Sequence, residues 1–415
     1  MVGFPDDMLS PRVRQVGLIA IFVVAIFAIG AALYFAFFRG VVSPPPNTTP
    51  GGTTTPGSGT LPGAGTGTRP PTGSVSGNGQ LTPADTVARG GVTQTTTLTT
   101  GGIKGLAVTA AGANYYDPND GRFYRVDSNG NLIKLSDAQF PQASDVSWNT
   151  AANKAVIEFP DGNNVVYDFA TQTQTTLPSQ WEDFEFSPAN DSIVAKSIGV
   201  DPNNRYLVVS NADGSNVKPI QALGFNANKV QVAPSSTGQV VAFADTAEPL
   251  SGGLDRKLIL PIGMNNENFK GITVEGLGFV PNWSPDGNRL LYSASGAGSN
   301  YKPTLWIVDA SPANMGENRR AIGLNTWADK CTFAGTSTVY CAVPKFLQDN
   351  VGLQRALADG TPDALFKIDL ANGGTSLVAV PETDTSMINL SVSPDGGSLF
   401  FTNAITGRLE TIRLR

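Results

Sequence analysis

Two cysteines, Cys331 and Cys341, and 34 carboxylates in a chain of 415 residues without one histidine are the groups able to do chemistry here. Without histidine there is no Ser-His-Asp or Cys-His nucleophile pair, no His-ligated zinc and no His-ligated haem. A Gly-x-Ser-x-Gly nucleophile elbow is also missing. Catalysis is left to carboxylates, which can cleave glycosidic bonds as a pair with no other group. The sequence sets no two of them at a catalytic separation, so solvated faces and turn caps are the default and no catalytic residue is assigned. Asp127-Ser128-Asn129-Gly130-Asn131 resembles a calcium loop in its oxygen donors but lacks the required glycine and distal glutamate, so it reads as a hairpin turn. No metal and no cofactor are implied.

The charge balance removes another class. Three of the 34 acids and five of the 28 bases precede Ile103, leaving 31 against 23 beyond it. A net charge of -8 there gives no basic footprint for nucleic acid.

Three kinds of element carry these groups. Residues 16–38 are an uncharged apolar run, about 34 Å long as a helix at about 1.5 Å per residue, and are expected to form a transmembrane helix. Its length and its bulky end, Tyr34-Phe35-Ala36-Phe37-Phe38, argue against a cleaved signal peptide. Arg12 and Arg14 before it, against Arg39 after it, place residues 1–15 in the cytoplasm and the rest outside, a single-pass protein of the cell membrane. Residues 39–91 are rich in Pro, Thr and Gly and are expected to be a disordered linker.

From residue 92 to 415 short β-type runs alternate with Gly, Asn, Asp and Pro turns. One unit recurs: Trp283-Ser284-Pro285-Asp286-Gly287 and Ser393-Pro394-Asp395-Gly396, with degraded copies at Phe186-Ser187-Pro188 and Val232-Ala233-Pro234. Val108, Trp148, Phe186, Val232, Trp283, Cys331 and Val392 align, at a spacing expected of about four strands per unit. Seven units make an all-β, seven-bladed β-propeller. Within the repeated turn, Pro285 and Pro394 preset φ, Asp286 and Asp395 bond the turn backbone, and Gly287 and Gly396 accept positive φ. These residues, with Trp283, are therefore structural. Cys331 and Cys341 fall on paired strands of blade six and are expected to form a stabilising disulfide, the alternative being two small buried hydrophobes.

The Ser-Pro-Asp-Gly units resemble WD40-like (PD40) repeats, as found in TolB-type proteins and in the propellers of prolyl oligopeptidase relatives. The resemblance implies the fold and carries neither family's activity. The last unit lacks one strand, and the run Val92–Leu98 is expected to supply it and close the ring.

Connections between second and third strands lengthen together in blades four to six, at Asp245–Arg256, Ser295–Pro303 and Pro344–Asp363. Arg256, Tyr301, Phe346, Leu347 and Leu353 on this rim are the candidate binding residues. The last loop could form a short helix, either capping the channel or meeting a partner. The expected function is a membrane-anchored, extracytoplasmic scaffold that binds a protein or envelope component and is not an enzyme. The alternative is a carboxylate-dependent carbohydrate-active enzyme at the cell surface.

Overall fold

A computed structural model describes residues 83–127, 130–253 and 255–415. Seven sheets form the blades, antiparallel and in sequence order from the channel outwards except at the outer edges of blades six and seven, where two short strands from before residue 98 are added. The innermost strands are Lys104–Thr109, Asp145–Trp148, Trp181–Phe186, Val230–Val232, Leu277–Trp283, Cys331–Phe333 and Met387–Val392. Each contains one of the seven aligned positions.

Composition follows position in the blade. The second strand of blade four, Val240–Ala244, is buried throughout because neighbouring blades cover both its faces. Outer strands meet water, and Thr173–Thr176 is exposed throughout. Between blades the core is aromatic: Phe123 meets Trp148 and Phe169 edge-on, with ring centroids 5.4 and 4.9 Å apart.

Specific bonds fasten blade to blade. Trp148 donates its indole N–H to the Gly105 carbonyl at 3.0 Å, and Trp283 does the same to Ala233 at 3.0 Å. Lys330 and Asp363 form a buried ion pair in blade six, at 2.9 and 2.8 Å to the two carboxylate oxygens. That carboxylate also accepts the Met387 N–H of blade seven at 2.6 Å. The repeated turn has the same wiring in both full copies. Gly287 N–H donates to the Ser284 carbonyl at 2.8 Å, and Gly396 to Ser393 at 2.7 Å. The serine hydroxyls accept from Arg289 and Ser398, each at 2.9 Å. Gly287 and Gly396 stand at φ of 68° and 70°, where a Cβ is unfavourable. Cys331 and Cys341 face each other across the ladder and are joined by a disulfide.

Three expectations need correction. Among the described residues no helix is long and apolar enough to cross a membrane, since strands and short 3-10 turns take up the chain. The transmembrane helix expected over 16–38 lies outside the described residues, as do 1–15 and most of 39–91. The anchor, the single-pass topology, the extracytoplasmic location and the membrane-bound scaffold built on them are withdrawn. Second, the end of the expected linker packs on the propeller: Ala88 and Gly90 donate to the carbonyls of Arg413 and Val378 at 2.9 and 2.8 Å. Third, Val92–Leu98 does not form one closing strand. Val92–Thr93 pairs in parallel with Thr375–Pro381 of blade six, held by Glu382 N–H donating to Thr93 at 3.0 Å. Only Thr96–Thr97 reaches blade seven, beside Leu409–Arg413.

Candidate functional site

In this topology innermost strands start, and second strands end, on the same face of the disc. That face also carries the connections between second and third strands, so the rim loops and the upper channel mouth share it. Four carboxylates converge there. Asp145 opens the innermost strand of blade two, and Glu158, its cross-strand partner, ends the second strand. Asp183 and Glu185 lie on the innermost strand of blade three.

A bulge sets this arrangement. Pairing in blade three slips between Glu182 and Glu185, and Asp183 takes a φ of 55°. Innermost strands of blades one, five and seven slip likewise, with Gly105, Gly278 and Asn389 at φ of 55°, 67° and 52°. Only Gly, Asn and Asp enter that region readily, and a bulge re-aims the side chains beside it. In blade three the residue used is an acid.

The four line a cleft of about 340 Å³ with Ser147, Phe184 and Gln231. Asp183 is paired with Lys196, a buried lysine, at 2.5 Å. Asp145 accepts its neighbour's N–H, from Val146, at 2.8 Å. The side chains of Glu158 and Glu185 have no hydrogen-bond or ion-pair partner among the described residues. Desolvation by the channel wall, then the charges of Asp145, Asp183 and Glu182, raises the Glu158 carboxyl to about 7. Glu185 is exposed on the channel wall, yet the protein atoms around its carboxyl still desolvate it. Desolvation, then Asp145, Glu158 and Asp183, raises it to about 7 as well. Near neutral pH this cleft therefore holds both protonated and ionised carboxyl groups, the condition for general acid–base chemistry. A chain signal existed in Glu182-Asp183-Phe184-Glu185, an acidic run on an innermost strand, but Asp145 and Glu158 join it only through the ring.

The rim residues spread over a different arc. Arg256 contacts Glu275 at 3.2 Å, and Arg319 donates to the same carboxylate oxygen at 3.1 Å. Tyr301 bonds Asp255, which raises its phenol. The loop after Pro344 forms two 3-10 turns, Val351–Leu353 and Arg355–Ala358, in place of the expected helix. Gly352 interrupts it: a Cβ there would stand 1.9 Å from Ser295 Oγ, while its N–H donates to the Tyr301 carbonyl at 2.8 Å. Leu347, Val351 and Ala358 fold down onto Trp327 and Val280, while Phe346 and Leu353 point away from the protein. The five candidates thus form no single pocket. Arg256 lines a groove between blades four and five, and Phe346 and Leu353 belong to the blade-six loop.

No protein-family model matches the chain, and no curated protein does. Solved structures share its fold. An oligogalacturonate lyase from Vibrio parahaemolyticus superimposes with a TM-score of 0.54 at 12% identity, covering 77% of this chain and 93% of that one. An oligogalacturonate lyase in complex with manganese gives 0.52 at 14% identity over 77% and 93%. The β-propeller domain of Cps50 (Swd1) from Myceliophteria thermophila gives 0.51 at 11% over 77% and 100%. At these identities the likeness is one of fold alone, a seven-bladed β-propeller.

Proposed function

We propose that the propeller is a carboxylate-dependent carbohydrate-active enzyme, with Asp145, Glu158, Asp183 and Glu185 as its active site. One observation carries the reading: two glutamates without partners, both raised to about 7, share a cleft with two further carboxylates at the channel mouth. Carboxylate-based glycoside cleavage requires a protonated acid beside an ionised partner. In this assignment Glu185 gives its proton to the glycosidic oxygen as the C–O bond breaks. A carboxylate across the cleft takes a proton from water, whose hydroxyl adds to the anomeric carbon.

The lyases named above act on oligogalacturonate, a polyanion. Here the cleft is itself acidic, and like charges repel a uronate, so a neutral glycan is the better fit. The manganese of the one lyase has no matching donor set: among the described residues no group of three or more Asp, Glu, Cys or His could hold a metal ion. We assign the Ser-Pro-Asp-Gly units to the WD40-like (PD40) type on the shared wiring of their turns. A second reading, a non-catalytic binding propeller, is favoured by the exposed apolar side chains of Phe346 and Leu353.

The test is reducing-end release by the full chain from a panel of neutral polysaccharides, against Glu185→Gln and Glu158→Gln. Asp286→Asn, in a turn remote from the cleft, is the control. Loss of an acid–base group costs roughly 10²–10⁴-fold in rate. Turnover that survives both glutamine variants, or none on any glycan, refutes the enzyme reading.

A further inference from the structure

Exposed large apolar side chains are unevenly distributed over the disc. Val200 is 99% exposed, Phe225 85%, Phe346 and Leu357 each 61%, and Leu353 and Ile405 each 53%. All six lie in connections between second and third strands or between blades, hence on the face that holds the acidic mouth. The other four, Leu132 at 59%, Val217 at 48%, Ile133 at 45% and Leu377 at 38%, lie on or just before the fourth strands of blades one, three and six, away from the mouth. Single exposed apolar residues are ordinary, but six of the ten gathered on one face mark an interaction surface.

The loops that carry them are held in place. The Asp201 side chain caps Pro202–Asn204 below Val200, accepting from Asn203 N–H. Arg205 donates to the Gly199 carbonyl at 3.0 Å. On the far side Lys302 pairs with Asp349 at 3.0 Å, and Arg355 grips Asp329 at 2.7 and 3.1 Å while lying 5.0 Å over the Trp327 ring. A partner would meet a surface that needs little ordering, which lowers the entropic cost of association.

The charge between the two apolar groups selects the partner. Asp145, Glu158, Glu182, Asp183 and Glu185 stand at the mouth. Lys196 is engaged by Asp183, and Lys104 is turned onto the carbonyls of Ala143 and Ser144 at 2.7 and 2.9 Å. An anionic headgroup or a nucleic acid would be repelled there, and a bare sugar would leave the outer apolar side chains unused. We infer that this face docks a polypeptide segment whose basic side chains enter the acidic mouth and whose flanking apolar side chains cover Phe225 on one side and Phe346 and Leu353 on the other. The inference rests on exposure and charge, and does not depend on turnover at the glutamates.

Titrating the full chain with a fluorescent lysine–leucine peptide tests it, with a glutamate–leucine peptide of equal length and anionic vesicles as the other arms. The lysine–leucine peptide should bind and weaken as salt rises. Its affinity should fall at least tenfold in Phe346→Ser/Leu353→Ser and, separately, in Asp145→Asn/Glu182→Gln. These side chains are exposed, so unchanged melting temperatures verify that the variants fold. Equal binding of the glutamate–leucine peptide overturns the proposal. So does unchanged affinity in both variants, or vesicle binding that disappears in Phe346→Ser/Leu353→Ser.

Discussion

Replacing Asp363 with alanine should destabilise the propeller more than most single substitutions outside its apolar core. The carboxylate is fully buried, and the Lys330 side chain that it pairs with is 6% exposed. Removing it leaves an ammonium group with no anion in a dry site, a loss of about 3–5 kcal/mol. The Met387 N–H, which donates to the same carboxylate at 2.6 Å, also loses its acceptor, at about 1 kcal/mol or more. The total is about 4–6 kcal/mol. Residues 92–415 number 324 (415 − 92 + 1). At about 2.1 cal/mol/K per residue the unfolding entropy is about 0.7 kcal/mol/K, so the melting temperature should fall by about 6–9 °C. Scanning calorimetry of the parent, Asp363→Ala and Lys330→Met/Asp363→Leu provides the assay. The double variant should regain most of the loss, because an apolar pair of similar volume needs no counter-charge. A single variant melting within 2 °C of the parent, or a double variant worse than the single, would refute this account of how blades six and seven are joined.

The raised glutamates make stability depend on pH in a stated direction. Glu158 and Glu185 rise from 4.5 to about 7 in the folded chain, so it binds their protons more tightly than the unfolded chain does. Their stabilising effect is complete below about 4.5 and disappears as pH rises through about 7. Melting temperature should therefore decline between pH 5 and 8, and Glu158→Gln/Glu185→Gln should flatten that decline; an unchanged slope rules it out. The disulfide closes a loop across a sequence separation of 10, so Cys331→Ala/Cys341→Ala should cost about 2–3 kcal/mol, or about 3–4 °C by the same conversion. Thermal melts of this variant and of the reduced parent should agree, and a loss below 1 °C in both would contradict it.

The fold was legible because its signals are local. A Ser-Pro-Asp-Gly turn satisfies its own backbone within five residues, so Trp283–Gly287 and Ser393–Gly396 announce the unit wherever they occur. In blade two, Asn149 after the aligned Trp148 takes the serine's place, its side chain accepting from Lys154 N–H at 2.9 Å. The candidate site was not legible. Glu185 belongs to the acidic run Glu182–Glu185, but Glu158 sits on another blade, and no spacing rule brings the two together.

Composition and turn chemistry thus gave, from the sequence alone, a seven-bladed all-β ring, an expected pairing of Cys331 with Cys341 that the structure bears out, and a chemistry resting mainly on carboxylates. Tertiary structure decided where those carboxylates stand and what surrounds them. Closing the ring sets blades two and three side by side, the bulge at Asp183 re-aims its strand, and the channel wall with its neighbouring acids makes the ionised forms of Glu158 and Glu185 unfavourable. A carboxyl group's proton affinity depends on the charges and solvent around it in three dimensions. The rim loop followed the same rule: its apolar residues were visible, but the fit of Gly352 against Ser295 divided them into a buried set and an exposed one.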